Sequence, residues 1–127
     1  MRDEDIQWLG AVFDERRIAD EMRGAHMVFV PGASGLAIVH AFCYGKPYAT
    51  CLRPDLVHGP ELEYLRDGEN GLLLTGDESR DLQRLEALLM DPRAYERCCH
   101  EAFRTARGLS IETWCEQMYS ALTHPGP

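Results

Sequence analysis

The segment from Phe29 to Thr50 constrains the fold more than any other part of the chain. It has the pattern of an apolar strand, a turn of small residues, a short helix that ends at Gly45, and a second strand. Two strands joined through such a helix pair in parallel. The helix then begins at the carboxyl end of the first strand, where open α/β sheets bind ligands. Because a helix N-terminus also presents unpaired backbone N–H groups, the segment predicts a site for an anion, most often a phosphate.

The predicted anion site is formed by the turn and the start of the helix. Its members are Gly32, Ala33, Ser34, Gly35 and Leu36. Ser34 has the position of a helix cap or of a phosphate contact. A serine hydrolase is the alternative, with Ser34 as nucleophile and His58 available as base. The G-x-S-x-G elbow of those enzymes needs a glycine where Leu36 stands, so the sequence favours phosphate recognition.

The charge of the chain argues against several classes of partner. The 127 residues include 21 acidic and 13 basic ones, and the net charge is −8. Nucleic-acid binding requires clustered Lys and Arg, which the sequence lacks. The same deficit argues against an anionic membrane surface. No apolar run is long enough for an integral membrane segment and the N-terminus does not resemble a signal peptide, so we expect a cytoplasmic protein.

The cysteines predict free thiols rather than a metal site. There are five, at positions 43, 51, 98, 99 and 115, without any C-x-x-C pair. Zinc sites usually need two such pairs, or one pair with spaced histidines. Consecutive helical residues point about 100° apart, so Cys98, Cys99 and His100 cannot bind one ion by themselves. We therefore expect reduced, mostly buried thiols and no metal.

Hydrophobic periodicity predicts one domain in which about four strands alternate with helices. The strands are expected at residues 6–9, 27–30, 48–51 and 72–74. The helices are expected at residues 14–23, 35–44, from 60 onward, 79–90, 92–107 and from 111 onward. This alternation indicates an α/β fold with a parallel sheet.

Three expectations concern packing. The strand at 27–30 is almost entirely apolar, so it should be covered on both faces. The strand at 6–9 has no inner neighbour and should form an open edge that needs a partner. The last helix carries one apolar stripe that should pack within the chain. The stripe comprises Ile111, Trp114, Cys115, Met118, Tyr119 and Leu122.

An ordered series of short motifs resembles one class of enzymes. The series is F-V-P, G-L-x-x-x-H-A, G-K-P, G-P-E-L-E-Y-L and D-G-E-N-G-L-L-L, and the resemblance extends from Ile6 to about Leu122. It resembles the C-terminal, donor-binding domain of GT-B glycosyltransferases. Within these, it is similar to the retaining group of glycogen synthases, sucrose synthases and many bacterial polysaccharide and lipopolysaccharide enzymes. Each motif alone is weak, but their order and spacing together are specific.

The resemblance implies a fold and a domain organisation. The fold would be a Rossmann-like parallel sheet with flanking helices, an incomplete C-terminal half of a GT-B glycosyltransferase. Residues 1–127 would form a single, partial nucleotide-sugar-binding domain, with the N-terminal acceptor domain absent. The last helix of such enzymes commonly crosses to the other domain, so its stripe would also suit a partner surface.

The resemblance also implies roles for individual residues. The turn and helix from Gly32 to His40 would bind the diphosphate of a nucleotide sugar, with amides near Gly35 and Leu36 facing it. The family usually has a glutamate at each of two positions that correspond here to Gly32 and His40, so both glutamates are absent from this chain. His40 can still hydrogen-bond a ribose hydroxyl, or it is a core histidine bonded to a carbonyl. The base would pack near Val12.

The implied function is sugar transfer from a nucleotide-sugar donor to a glycan or lipid-linked acceptor, as in polysaccharide biosynthesis. No cofactor or metal is implied, and no catalytic residue is identified. Because a basic pair that normally neutralises the leaving diphosphate has no counterpart, we expect no turnover by this chain alone. A partner chain supplying the acceptor domain, or a homo-oligomer, is implied. The alternative is a non-catalytic nucleotide-sugar-binding or scaffolding subunit.

Three polar side chains near the predicted helix start at Pro60 have alternative roles. His58 either faces the ligand cleft or caps the helix, and the sequence leaves this open. Glu61 and Glu63 resemble paired catalytic carboxylates. Acidic residues are, however, favoured in the first turn of any helix by its dipole, so we interpret both as structural.

Overall fold

The computed structural model of the chain describes residues 5–124 and residue 126. The helices are α1 (Glu15–Gly24), α2 (Leu36–Cys43), α3 (Glu78–Met90), α4 (Pro92–Arg107) and α5 (Ile111–Thr123), with a short 3₁₀ helix at Pro60–Tyr64. The strands are β1 (Val28–Val30), β2 (Tyr48–Cys51) and β3 (Gly71–Leu74). None of the helices in residues 5–124 combines the length and apolarity that crossing a membrane requires.

The three strands form one parallel sheet in the order β1-β2-β3. Val28 pairs with Tyr48, and Tyr48 pairs in turn with Gly71. The predicted α/β class with a parallel sheet is confirmed. Crossovers through α2, and through the longer connection between β2 and β3, keep all three carboxyl ends on one edge.

The predicted strand at Ile6–Leu9 is wrong. Residues 6–14 have no regular secondary structure, and Trp8 is 91% exposed. Of these four positions only Leu9 is even partly buried, so the segment gains little apolar burial from pairing with the sheet. The edge strand on this side is β1. Its Phe29 is exposed, so the expectation that this strand is covered on both faces is also wrong.

The sheet lies between two layers of helices, and each face has its own core. On one face, Ile38, Phe42, Tyr48 and Ala102 are buried between the sheet, α2 and α4. On the other face, three sheet residues pack against Leu85 and Leu88 of α3. These are Ala49, Leu72 and Leu74. The resulting three-layer arrangement is the architecture expected for a parallel sheet.

Local signals that predicted helix ends are confirmed by the structure. The Asp14 carboxylate accepts a hydrogen bond from the Arg16 amide and so caps α1. Helix α2 ends before Gly45, whose φ of +65° is the left-handed conformation that favours glycine. A side chain is excluded at Gly71 for another reason: a Cβ there would lie 2.0 Å from the Tyr48 carbonyl oxygen. Glycine at position 71 thus permits the close approach of β3 to β2.

The apolar stripe of α5 does not pack within the part of the chain that the structure describes. Its large apolar members are between 43% and 76% exposed, and Cys115 is exposed as well. The expectation of internal packing is therefore wrong. Helical periodicity records that one face is apolar, but it does not say which surface covers that face.

All five cysteines are free, as predicted, but they are not mostly buried. Only Cys98 is buried, while Cys43 and Cys115 are exposed. Burial, with a smaller contribution from Cys99, raises the pKa of the Cys98 thiol to about 12. Within the described residues, no three metal-binding side chains of His, Cys, Asp or Glu lie together.

Candidate functional site

The turn after β1 and the first turn of α2 lie at the carboxyl edge of the sheet. Gly35 is the N-cap residue of α2, and no side chain caps the helix there. Leu36 is 74% exposed, and Ala37 is exposed too. The Ile38 amide donates to the Gly35 carbonyl, so the amides of Leu36 and Ala37 precede the first intrahelical bond. An exposed helix start without a side-chain cap can accept an anion.

The Ser34 side chain faces inward, away from this exposed helix start. It is buried, and its Oγ lies 3.0 Å from Thr50 Oγ1 and accepts a hydrogen bond from the Tyr48 hydroxyl at 3.0 Å. Thr50 Oγ1 donates to the Gly32 carbonyl at 3.2 Å. Burial raises the pKa of Tyr48, and its hydrogen bond to Ser34 partly offsets this. The hydroxyl network therefore fixes the turn, and the Ser34 hydroxyl makes no helix cap.

His58 connects the turn to the end of β2. Its Nδ1 accepts a hydrogen bond from the Ser34 amide at 3.1 Å, and its Nε2 lies 3.1 Å from the Cys51 carbonyl oxygen. The Gly59 amide donates to the Ser34 carbonyl at 2.7 Å. His58 thus contacts the backbone of Ser34, not its hydroxyl. The nucleophile–base pair of a serine hydrolase is not formed, and neither alternative from the sequence described this role.

Glu61 lies closer to the site than the sequence indicated. A Cβ placed on Gly35 would be 3.5 Å from Glu61 Oε2, and one on Gly59 would be 2.4 Å from the same atom. Glu61 is partly buried and belongs to the first turn of the 3₁₀ helix, as predicted. Its carboxylate also borders the start of α2. The only sequence signal for this placement was the Gly-Pro step that begins the short helix.

His40 lies about one turn after the first residue of α2 and pairs with α1. Its Nε2 is 3.6 Å from Glu15 Oε2, and its side chain is 41% exposed. The Tyr44 hydroxyl donates to the same Glu15 carboxylate at 3.2 Å. The alternative of a core histidine bonded to a carbonyl is therefore wrong. A ribose contact by His40 stays a prediction.

Val12 lies in a different part of the molecule from the turn. It borders an apolar cavity of about 280 Å³ together with Leu9, Ile18, Met22, Met27 and Val28, among others. Met27 and Val28 stand at the amino end of β1, whereas the turn follows its carboxyl end. The structure thus groups Gly32, Ser34 and Gly35 but not Val12, whose contact with a base stays a prediction.

The loop after β2 carries one arginine that forms an ion pair. Arg53 follows β2 and forms an ion pair with Asp55 at 2.6 Å. The hydrogen bonds from Arg53 lower the pKa of the Asp55 carboxyl. This arginine is therefore already paired with a neighbouring carboxylate.

The chain resembles known proteins in its structure. The sequence matches no model of a protein family and no curated protein. The structure is similar to that of Anabaena Alr3699/HepE in complex with UDP, with 24% identity and a TM-score of 0.59, over 81% of this chain and 29% of that chain. It is similar also to the C-terminal domain of LpcC, a glycosyl transferase group 1 family protein from Francisella tularensis. There the identity is 16% and the TM-score 0.59, over 80% of this chain and 51% of that one.

These likenesses identify the fold as that of part of a GT-B glycosyltransferase. The predicted fold class is therefore confirmed. The chain spans about a third of HepE and about half of the LpcC domain structure. The finer resemblance to the glycogen synthase and sucrose synthase group stays a prediction.

Proposed function

We propose that the chain binds the diphosphate of a nucleotide sugar at the turn Gly32–Gly35 and the start of α2. The observation that carries this proposal is the exposed helix start, free of any side-chain cap, at the carboxyl edge of the parallel sheet. The proposal is supported by HepE, which has the same fold and was solved with UDP and with UDP-glucose. Uridine nucleotides are therefore the first ligands to test.

The proposed binding mode uses backbone groups. The amides of Leu36 and Ala37, together with the positive end of the helix dipole, would face the diphosphate. Gly32 leaves space beside the turn, since a Cβ there would meet no atom within 4 Å. His40, half-exposed on the same helix, would hydrogen-bond a ribose hydroxyl. No cofactor or metal has a part in this mode.

We further propose that the chain is the donor-binding portion of a retaining glycosyltransferase. The acceptor would be a glycan or a lipid-linked glycan, and a partner or further domain would supply the acceptor site. Sugar transfer requires stabilisation of the departing diphosphate. Because Arg53 is already paired with Asp55, this stabilisation would come largely from outside the chain. In a sugar-transfer assay with UDP-glucose, the lone chain is expected to be inactive.

A non-catalytic nucleotide-sugar-binding subunit is the second candidate. It is favoured by Gly32 and His40, which replace the two glutamates that the resemblance leads one to expect. Both candidates bind the nucleotide. They differ in whether sugar transfer appears when a chain with an acceptor domain is added, so a reconstitution assay separates them.

Calorimetric titration with UDP, GDP, ADP and uridine tests the shared part of the proposal. We expect a nucleoside diphosphate to bind more tightly than uridine, because the helix start recognises the phosphates. The variant Ala37→Asp places a negative charge in the first turn of α2. It should weaken binding about tenfold or more while leaving the melting temperature unchanged or slightly raised, since the dipole favours an acid there.

The matched control for this titration is Ala87→Asp. It adds the same charge to an exposed position of α3 on another side of the sheet. Its nucleotide affinity should equal that of the unmodified chain. Equal affinity for uridine and UDP, or a loss of binding as large in the control as in Ala37→Asp, would refute the proposed site.

A further inference from the structure

His58 has a hydrogen-bonding pattern that only one form of its ring allows. The Ser34 amide is a donor, so Nδ1 must carry a lone pair. The Cys51 carbonyl is an acceptor, so Nε2 must carry the hydrogen. The ring is therefore neutral and in the Nε2–H tautomer. A proton added at Nδ1 would remove the acceptor of the Ser34 amide.

The contacts of His58 join two segments that the sheet alone does not connect. The ring links Ser34 in the turn to Cys51 at the end of β2. The adjacent Gly59 amide contacts the carbonyl of the same Ser34 residue. Both polar groups of Ser34's backbone are thus bound by residues 58 and 59. This double contact fixes the backbone of the residue that precedes Gly35, the N-cap residue of α2.

We propose that neutral His58 is a positioning residue that holds the turn Gly32–Gly35 in its binding conformation. Protonation of His58 releases the Ser34 amide and loosens the turn. Nucleotide-sugar binding is therefore weaker when His58 is protonated. The part that concerns ligand binding rests on the proposed function, whereas the effect on the turn does not.

Other titratable groups also border this region, and the test must separate them from His58. Glu61 has its carboxylate beside Gly59 and Gly35. The others are the Tyr48 hydroxyl bound to Ser34, the thiol of Cys51, and the Arg53–Asp55 ion pair in the loop after β2. Of these, Glu61 is the acid nearest to the turn. The variant Glu61→Gln removes its titration and should keep the pH dependence.

Two substitutions test the two hydrogen bonds of His58 separately, because each retains only one of them. In His58→Asn, the side-chain oxygen occupies the δ position and accepts from the Ser34 amide at any pH. In His58→Gln, the amide nitrogen reaches the ε position and retains only the bond to Cys51. The control is His100→Asn, at an exposed position of α4 whose side chain is 77% exposed.

The first measurement needs no ligand. Nitrogen-15 NMR of the unmodified chain should show the Nε2–H tautomer of His58 at pH 8. Exchange of the Ser34 amide hydrogen should accelerate about tenfold or more as His58 becomes protonated. In His58→Asn the exchange rate, corrected for its intrinsic pH dependence, should not change. A charged or Nδ1–H ring at pH 8, or acceleration in His58→Asn as well, would overturn the proposal.

The second measurement is UDP-glucose binding between about pH 8 and pH 5. UDP-glucose is the suitable probe because each of its two phosphates carries one ester and one anhydride bond and has no ionisation near pH 6, whereas the terminal phosphate of UDP itself titrates near pH 6. The unmodified chain and His100→Asn should lose about tenfold in affinity over this range. His58→Asn should lose less than about threefold, and His58→Gln should bind about tenfold more weakly at pH 8.

The two measurements distinguish the possible failures. If UDP-glucose does not bind but Ser34 exchange follows His58, the proposed ligand is wrong and the positioning role remains. If UDP-glucose binds with the same pH dependence in His58→Asn as in the unmodified chain, the positioning role is refuted and the nucleotide site remains.

Discussion

Glu61 places a negative charge beside the backbone groups that we propose bind a diphosphate. Its Oε2 borders Gly35, while the neighbouring acid Glu63 is exposed on the same short helix. A carboxylate there opposes an anion by Coulomb repulsion, but it can also accept hydrogen bonds from sugar hydroxyls. The two effects have opposite signs, so substitution of Glu61 reveals which one dominates.

The variant Glu61→Gln is expected to bind UDP about three- to tenfold more tightly, because it removes the repulsion and retains an oxygen acceptor. Isothermal titration at low salt measures this change. Glu63→Gln is the matched control and should leave the affinity unchanged. Weaker UDP-glucose binding in Glu61→Gln, together with unchanged UDP binding, would instead indicate a direct contact with the sugar.

Asp81 illustrates a buried carboxylate with a structural role. Burial alone would raise its pKa, but hydrogen bonds from the Thr75 and Gly76 amides and the Thr75 hydroxyl outweigh it, so the pKa is lowered. A lowered pKa means that the charged form stabilises the fold. This stabilisation is present above the unfolded value of about 3.9 and is lost as the pH falls through the folded value.

The variant Asp81→Asn should lower the free energy of unfolding by about 1–2 kcal/mol at neutral pH, because it weakens these charge-assisted hydrogen bonds. Below about pH 3 the difference from the unmodified chain should shrink. Urea denaturation at several pH values measures it. A difference that stays constant down to pH 2 would contradict the role of the charge.

The residues of the candidate site were predictable from the sequence only in part. Small residues after an apolar strand place the turn at Gly32–Gly35, because a strand followed by a helix start has few other geometries. The inward direction of Ser34 was not predictable. It depends on the Tyr48 hydroxyl, which β2 brings close only when the sheet forms. His58 was likewise uncertain, because its partners are a distant amide and a carbonyl.

At the scale of elements, the sequence determined the helices better than the sheet edge. Asp14 and Asp91 cap their helices and Gly45 follows the end of α2, so local chemistry was sufficient there. The prediction of a strand at Ile6–Leu9 was wrong because four residues carry too little information about long-range pairing. The prediction that the stripe of α5 packs within the chain was wrong for a related reason. An apolar face needs a surface to cover it, and the part of the chain that the structure describes does not provide one.

Two leucine-to-alanine variants test this contrast between elements. Leu74 in β3 is 2% exposed, whereas Leu122 in α5 is 76% exposed. Leu74→Ala should lower the free energy of unfolding by about 3 kcal/mol, because it leaves a cavity. Leu122→Ala should change it by less than about 0.5 kcal/mol. Urea denaturation of both variants measures these values, and a large effect at Leu122 would mean that α5 is covered in solution.

At the scale of the whole molecule, the candidate site and the buried cores lie in different parts of the same three-layer unit. The carboxyl edge of the sheet carries the turn and the start of α2, and the two helix layers carry the cores. The part of HepE that this fold matches is 29% of the HepE chain. With a net charge of −8, the overall field of the chain disfavours an anion, so the binding that we propose would depend on local contacts with backbone amides.

The chain of hydroxyls from Tyr48 through Ser34 to Thr50 has a consequence for any attempt to improve the protein by directed evolution. It connects a strand of the core to the turn at the carboxyl edge of the sheet without an intervening solvent-exposed residue. If the turn binds the ligand that we propose, selection for thermal tolerance at Tyr48 or Thr50 would change the affinity at the same time.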